Sequence, residues 1–472
     1  MGAKRHAMSV ADAAWFQMDR PQNLMVINGV LSFDEQVDWE RLRGVLLERL
    51  VGPFPRFRQC VRGPRLGIGT PQWEDDPDFN LDLHVHHVAL PPPGDRVALE
   101  AFVADRMAMP LDRARALWEF YLVDGYGEGC AVVARMHHAI ADGIALARVL
   151  FSLTDAGPEP GISGNTLEGR SGGTRSGIVR PVGAAVSAGR GVAGVAWHEG
   201  METLAHPRHA AALARTAGDD MLTLAKVLAA RPDTDTVLRG SAGIAERVAW
   251  SDPFELDPVR ELAHAYGATV NDVLVAATAG ALRKYLLARG SIVDQIHAIV
   301  PFNLRPLDEP LPRDLGNRFG LVTLPLPVGI ADRESRLREI MRAMGRIKIS
   351  PEGPISYALL SAIGAAPAPV EAALVNVFSG VGSTVITNVP GPREIIFLAG
   401  SPVRGVLVWA PVSGNVAMSV SIFSYAGSVT IGVMTDAGLV PDPQTIVAVF
   451  TDELAAMRYP QEDRDGDTPA AS

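Results

Sequence analysis

Cysteine is scarce in this chain. Two residues among 472, Cys60 and Cys130, cannot build a disulfide framework or a four-cysteine zinc site, and a reducing cytoplasm fits such usage. A basic surplus is missing too: Lys plus Arg total 43 against 53 Asp plus Glu, a formal net charge of −10. That balance argues against a nucleic acid partner, which demands a basic stripe to neutralise phosphates. It leaves anionic small substrates open, since these need only a local basic patch. The opening residues Met1 to His6 hold no apolar export-signal core, and His6 stands where a myristoylation signal has Ser or Thr. Neither a P-loop nor a G-x-S-x-G elbow occurs, so phosphoryl transfer and serine-hydrolase chemistry lack their usual markers.

Charge is absent from residues 405–435, a run longer than the ~20 residues a spanning helix needs. Within it, however, Val416, Met418, Val420 and Ile422 alternate with small or polar residues, and the alternation resumes at Val429, Ile431 and Val433. Period two with a Gly-containing turn predicts a β-hairpin in place of a membrane helix.

What is present describes a globular chain of 47% hydrophobic and 20% charged residues. Its length exceeds the roughly 250–300 residues at which single cores divide. Two mixed α/β (α+β) domains are expected, over 1–155 and 241–460. Between them 156–200 is rich in Gly, Ser and Pro and reads as a flexible linker, 201–231 as a connecting helix, and 461–472 as a disordered tail. No internal repeat is apparent. In the first domain, strands are expected at 24–33, 118–124 and 130–136, with helices at 38–50, at 97–109 and after Gly143. In the second, helices are expected at 258–266, 273–289, 333–348 and 444–457. Its strands are expected at 296–301, 320–326, 383–388, 403–409, 414–425 and 428–434. Thr269 to Asp272 can cap the second of those helices.

Two motifs are set aside. Gly189 to Gly194 satisfies G-x-G-x-x-G, but no strand precedes it. His84, His86 and His87 lack a nearby cysteine to complete a zinc set and are expected to be surface residues. The informative segment is Met136-His137-His138-Ala139-Ile140-Ala141-Asp142-Gly143, which follows an apolar strand and precedes a helix. Binding crevices in α/β sheets commonly open there. Adjacent histidines diverge on a strand, so only one easily faces a shared cavity. Asp142 is free to fix the loop or an imidazole, and Gly143 permits close backbone approach or an unusual dihedral. From spacing alone, a polar turn with a helix cap and a catalytic loop are equally good readings.

This segment resembles the HHxxxDG motif of the wax ester synthase/diacylglycerol acyltransferase family, within the wider superfamily of CoA-dependent acyltransferases and condensation domains. Pro110 to Glu119 (PLDRARALWE) is similar to the family's PLDRxRPLWE segment, with Ala116 in place of its second proline. Asp12 to Phe16 resembles its D-x-x-F/W opening, Asn271-Asp272 its ND motif, and Val300 to Arg305 its VPxxxR strand. Leu315 to Arg318 resembles its GN loop and Thr387 to Pro392 its (T/S)NVPGP motif. These ordered matches run from residue 12 to residue 392 and touch both expected domains.

The resemblance implies two chloramphenicol-acetyltransferase-like sheet-and-helix domains with an active-site channel between them. It implies transfer of a long-chain acyl group from acyl-CoA to diacylglycerol or a long-chain alcohol, giving triacylglycerol or wax ester. No metal or redox cofactor is implied, acyl-CoA being a substrate. His138 is the expected general base, because imidazole's ordinary pKa of about 6.5 suits removal of a hydroxyl proton. Asp142 is expected to orient, holding an arginine and setting the loop. His137 is either a packed structural residue or a partner of His138. Gly143, Asn271, Thr387 and Asn388 are assigned to substrate binding. Asn271 and the Thr387 hydroxyl are candidate oxyanion donors, though they equally read as a helix cap and a strand residue.

Helix 333–348, carrying Arg333, Arg336, Arg338, Arg342, Arg346 and Lys348, reads as an amphipathic surface helix or as a site for CoA phosphates or anionic lipid heads. The lipid products imply a cytoplasmic protein with peripheral contact at the inner membrane or lipid bodies. Two other readings stay open: a superfamily acyltransferase using a carrier-protein donor or a polyketide or glycolipid acceptor, and a non-catalytic lipid-binding protein.

Overall fold

A computed structural model describes residues 5–63, 69–159, 233–305, 309–348, 350, 352–365, 380–412 and 414–458. The segments read as a linker rich in Gly, Ser and Pro beyond 159, as a connecting helix and as a tail, together with G-x-G-x-x-G at 189–194, lie outside the described residues.

The strands are β1 (Val26–Phe33), β2 (Val85–Ala89), β3 (Trp118–Tyr126), β4 (Gly129–His137), β5 (Glu246–Trp250), β6 (Ile296–Asn303), β7 (Phe319–Leu326), β8 (Thr384–Pro390), β9 (Gly405–Trp409), β10 (Met418–Tyr425) and β11 (Ser428–Asp436). The helices are α1 (Val10–Met18), α2 (Trp39–Leu46), α3 (Arg96–Met107), α4 (Gly143–Ser152), α5 (Leu256–Ala265), α6 (Val270–Ala288), α7 (Arg333–Lys348), α8 (Glu352–Ala365) and α9 (Pro443–Arg458).

Two large sheets carry the fold. A five-stranded sheet has the order β9-β1-β4-β3-β2, and a seven-stranded sheet runs from the short strand Phe254–Glu255 through β11, β10, β8 and β6 to β7, with β5 also on β11. Every residue of β4 is buried. That is why its sequence is a nearly continuous apolar run, as a central strand covered on both faces requires. Separate clusters of buried side chains fill the two sheets' cores.

The uncharged run at 405–435 does contain the antiparallel hairpin β10–β11, paired from Met418–Thr435 to Tyr425–Ser428. Its first strand has another destination. β9 leaves the seven-stranded sheet and adds antiparallel to β1, Trp409 opposite Asn28. Apolar alternation marks a strand but does not say which edge it joins.

Local signals set the helix starts. Thr269 and Asp272 form a reciprocal capping box at α6, while Asp142 caps α4 by accepting the Ala145 N–H at 2.9 Å. Several features have no counterpart in the sequence reading, among them α1, β5, the small sheet of Arg5–Ala7, Gln59–Arg62 and Gln72–Asp75, and α8, which packs on α1 and β7.

Candidate active site

His137 and His138 stand at the end of β4, where the strand stops pairing and the chain turns into α4. The His138 main-chain N–H donates to Met25 O at 2.7 Å. From there the two imidazoles part, and each meets a different environment.

His137 is 1% exposed. Its Nδ1 accepts the Ala139 N–H at 2.9 Å, so its proton sits on Nε2, which faces Asp19 Oδ2 at 3.6 Å. Asp19 also accepts Arg113 Nη2 and the Met25 N–H, each at 2.8 Å. Burial raises that carboxyl, but His137, Arg113 and the Met25 amide outweigh it and hold it down to about 2. Arg113 belongs to the PLDRARALWE segment. This knot is structural in character: it ties the start of β1, the segment before β3 and the histidine turn together.

His138 is 5% exposed and sits among aromatic rings. Trp15 of α1 stacks on it at a centroid distance of 4.2 Å, and Phe319 of β7 lies 5.2 Å away. Its Nδ1 is 2.9 Å from Asn317 Oδ1. No hydrogen bond engages Nε2 among the described residues. Burial pushes the imidazole down to about 4, because removal from water penalises the charged ring. The ring is therefore neutral near pH 7, with one nitrogen unengaged.

Asp142 closes the loop from the other side. One carboxylate oxygen caps α4, and the other accepts the Arg318 main-chain N–H at 3.1 Å. Asp142 thus takes the Arg318 main chain and not a guanidinium, because the Arg318 side chain turns to Glu309. Gly143 needs no unusual dihedral. A Cβ there would meet only Ile27 Cδ1, at 4.0 Å, so no close backbone approach calls for glycine either.

The other assigned residues gather elsewhere. Asn388 Nδ2 donates to Asn271 Oδ1 at 2.7 Å, so Asn271 pairs with the TNVPGP strand, and the cap of α6 is Thr269. The Thr387 hydroxyl is buried without a partner. Among the described contacts none joins this group to His138. His84 corrects the expectation of surface histidines. It is 2% exposed, held by Trp118 O at 2.9 Å and stacked between Phe79 and Trp118.

Helix α7 is the amphipathic surface helix of the first reading. Arg336 is buried against Glu453, and Arg338, Arg342 and Arg346 pair with Glu334 and Glu339 of the same helix.

The model of the wax ester synthase/diacylglycerol acyltransferase catalytic domain matches residues 8–274, and that of the C-terminal domain matches residues 315–458. The chain belongs to the wax ester synthase/diacylglycerol acyltransferase family. A Mycobacterium tuberculosis H37Rv protein named "Probable diacyglycerol O-acyltransferase tgs1" is 29% identical over 432 residues, covering 89% of this chain and 88% of that protein. Among solved structures, the wax ester synthase/diacylglycerol acyltransferase of Marinobacter aquaeolei VT8 aligns with a TM-score of 0.68 at 22% identity, over 96% of this chain and 98% of the other. The first condensation domain of the calcium-dependent antibiotic synthetase aligns at 0.60 and 16% identity, over 96% of each. Those two likenesses establish a shared fold. Membership assigns this acyltransferase the formation of triacylglycerol or wax ester.

Three residues beside His138 carried no role in the sequence reading. Asp12, Trp15 and Asn317 all lie inside quoted motifs, DAAWF and LGNR, yet no spacing rule places them against a histidine more than a hundred residues away. Two cavities lined by described residues, near Arg96 with Tyr126 and near Asn28 with Glu246, do not include His138 among their walls. No described helix is long and apolar enough to cross a membrane.

Proposed function

We propose that this acyltransferase moves a long-chain acyl group from acyl-CoA to the hydroxyl of diacylglycerol or a long-chain alcohol, with His138 as general base. The observation that carries the reading is the imidazole itself: buried, unprotonated near pH 7, and with Nε2 unengaged. Nε2 takes the proton as the O–H bond breaks and the oxygen attacks the thioester carbonyl. Collapse of the tetrahedral adduct breaks the C–S bond, and the proton returns from Nε2 to the CoA sulfur. No covalent acyl-enzyme is needed. General-base assistance of this kind is worth about 10²–10⁴ in rate.

Asp142 positions the loop, and Gly143 leaves room beside it. Thr387, with its unpartnered hydroxyl, and Asn271, whose Nδ2 is left over by the Asn388 bond, are assigned to the oxyanion, and Asn388 to their support. Contact with membrane or lipid-body surfaces is peripheral in this reading, since both acceptor and product are lipids.

The test is acceptor-dependent CoA release from palmitoyl-CoA, measured with purified protein against diacylglycerol and a series of long-chain alcohols. Wild type is expected to release CoA only with acceptor, and His138→Ala to lose at least about 10²-fold. Full turnover by His138→Ala rules out this base. A stable acyl-protein formed without acceptor rules out direct transfer.

A further inference from the structure

We propose that Asn317, oriented by Asp12, is a positioning residue that fixes the His138 proton on Nδ1 and thereby leaves the lone pair on Nε2. The inference deepens the base reading of His138 and rests on it.

An asparagine amide has a donor end and an acceptor end, and the neighbours decide which is which. One end of the Asn317 amide lies 2.8 Å from Asp12 Oδ1 and 2.8 Å from the His138 carbonyl oxygen. Asp12 Oδ1 also accepts the Asn317 main-chain N–H at 2.9 Å. It is thus an acceptor even if the carboxyl carries a proton on its other oxygen. Both neighbours accept, so this end of the amide is the NH₂. The remaining end is the oxygen, 2.9 Å from His138 Nδ1. A carbonyl oxygen can only accept. Nδ1 must therefore donate, and in a neutral imidazole the other nitrogen then holds the lone pair.

Three chain segments hold this arrangement. Leu315 and Gly316 take φ values of 49° and 90°, a left-handed pair that a non-glycine residue adopts only at a cost. Those dihedrals turn Asn317 inward, while the Gly316 N–H donates to Ile140 O at 3.0 Å and Arg305 Nη2 to Gly316 O at 3.2 Å. The GN loop is thus stapled to the histidine loop by main chain. Helix α1 supplies the anchor: Asp12 is 1% exposed, with Arg56 Nη2 at 3.8 Å. Trp15 lies three residues on, on the same helix face, and it stacks on the imidazole. One short helix therefore supports the ring and orders the amide that orients it. The ring also meets the His138 main-chain carbonyl, and this carbonyl and the neutral Asn317 amide hold the tautomer together without adding the charge that a directly bonded carboxylate would bring to the ring.

The direct test is ring-nitrogen NMR of full-length protein labelled with ¹⁵N-histidine, the His138 signals identified by their loss in His138→Ala. A proton on Nδ1 and none on Nε2 at pH 7 is the expected result; a proton on Nε2 overturns the proposal without any positioning variant having to fold. In kinetics, Asn317→Ala and Asp12→Ala are expected to lower kcat about 10²-fold with KM for both substrates within about twofold of wild type. Asp12→Asn keeps an oxygen that accepts both Asn317 donors and is expected to recover most of that loss. Wild-type kcat in Asn317→Ala, with His138→Ala inactive, overturns the positioning role and leaves the base reading standing. Turnover by His138→Ala removes the base reading and this inference with it.

Discussion

Two hairpins in this molecule open through short loops into helices, and they differ in what completes the loop. β3 and β4 lead through 138–142 into α4, and β10 and β11 lead through 437–442 into α9. At the second, Asp436 accepts the N–H groups of Gly438 and Leu439 at 2.9 and 3.0 Å, and Asp442 takes Tyr285 and Arg289 of the adjoining α6 segment at 2.8 and 2.7 Å. Its polar groups are satisfied from within their own half of the chain. At the first, His138 is completed by Asn317 and Asp142 by the Arg318 N–H, from 179 and 176 residues away. The difference teaches that two similar supersecondary units part ways when one has its polar ends finished from a distant part of the chain, and the proposed function places the chemistry at that one. A ring so placed keeps one nitrogen uncommitted, whereas a locally satisfied carboxylate has none to spare.

The steepest contrast should fall between adjacent residues. His138→Gln is expected to lose about 10²–10⁴ in kcat. His137→Gln should instead cost stability, about 1–3 kcal/mol for leaving buried partners unpaired, with turnover per folded molecule within tenfold. Urea titration beside initial-rate kinetics separates the two, and equal kinetic losses would break the division of labour between them. Next is a comparison of the two loops. Asp142→Ala should lower both kcat and stability, the latter by about 0.5–2 kcal/mol for a lost cap. Asp436→Ala should lower stability alone. A kcat loss in Asp436→Ala would show that the second loop is not merely structural.

A smaller effect is expected in the pH profile. With His138 held down to about 4 by burial, kcat/KM should keep its plateau to well below pH 6 and turn down near pH 4. The unfolded chain, with an ordinary histidine near 6.5, takes up the proton first. This group's contribution to stability is therefore complete above pH 6.5 and is lost as pH falls from there toward 4. Denaturation of wild type and His138→Gln at pH 5 and 7 checks the sign. Smallest is an effect outside the site. Burial, with the Asp436 charge adding to it, pushes Glu246 up to about 8, so stability falls as pH rises from about 4.5, where the unfolded carboxyl ionises, toward 8. Glu246→Gln should therefore stabilise the protein at pH 8, by on the order of 1 kcal/mol, and little at pH 5. An identical difference at both pH values would contradict this origin.

Much of the chain was legible in advance because its signals are local. The apolar run of β4, the alternation of β10 and β11, and the Thr269–Asp272 cap depend on neighbours a few residues apart. So do the histidine loop between strand and helix and the amphipathic pattern of α7. Short strands such as Arg5–Ala7 carry too few residues for a period, and α8 holds Gly353 and Pro354 in its first turn, which masks it. His84 is buried against expectation because strand periodicity says nothing of the Phe79 and Trp118 rings that enclose it.

From the order of its residues alone, the chain determined most of its long strands and helices and where a histidine, an aspartate and a glycine stand between them, since hydrogen bonding and side-chain period act over a few residues. Folding in three dimensions decided that β9 joins the other sheet, that His137 faces Asp19 while His138 faces Asn317, and that Trp15 stacks on that ring while Asp12 holds the Asn317 amide. Those pairings join residues up to 381 positions apart, Trp409 with Asn28, and only burial against a common core selects among the many partners that such a separation allows.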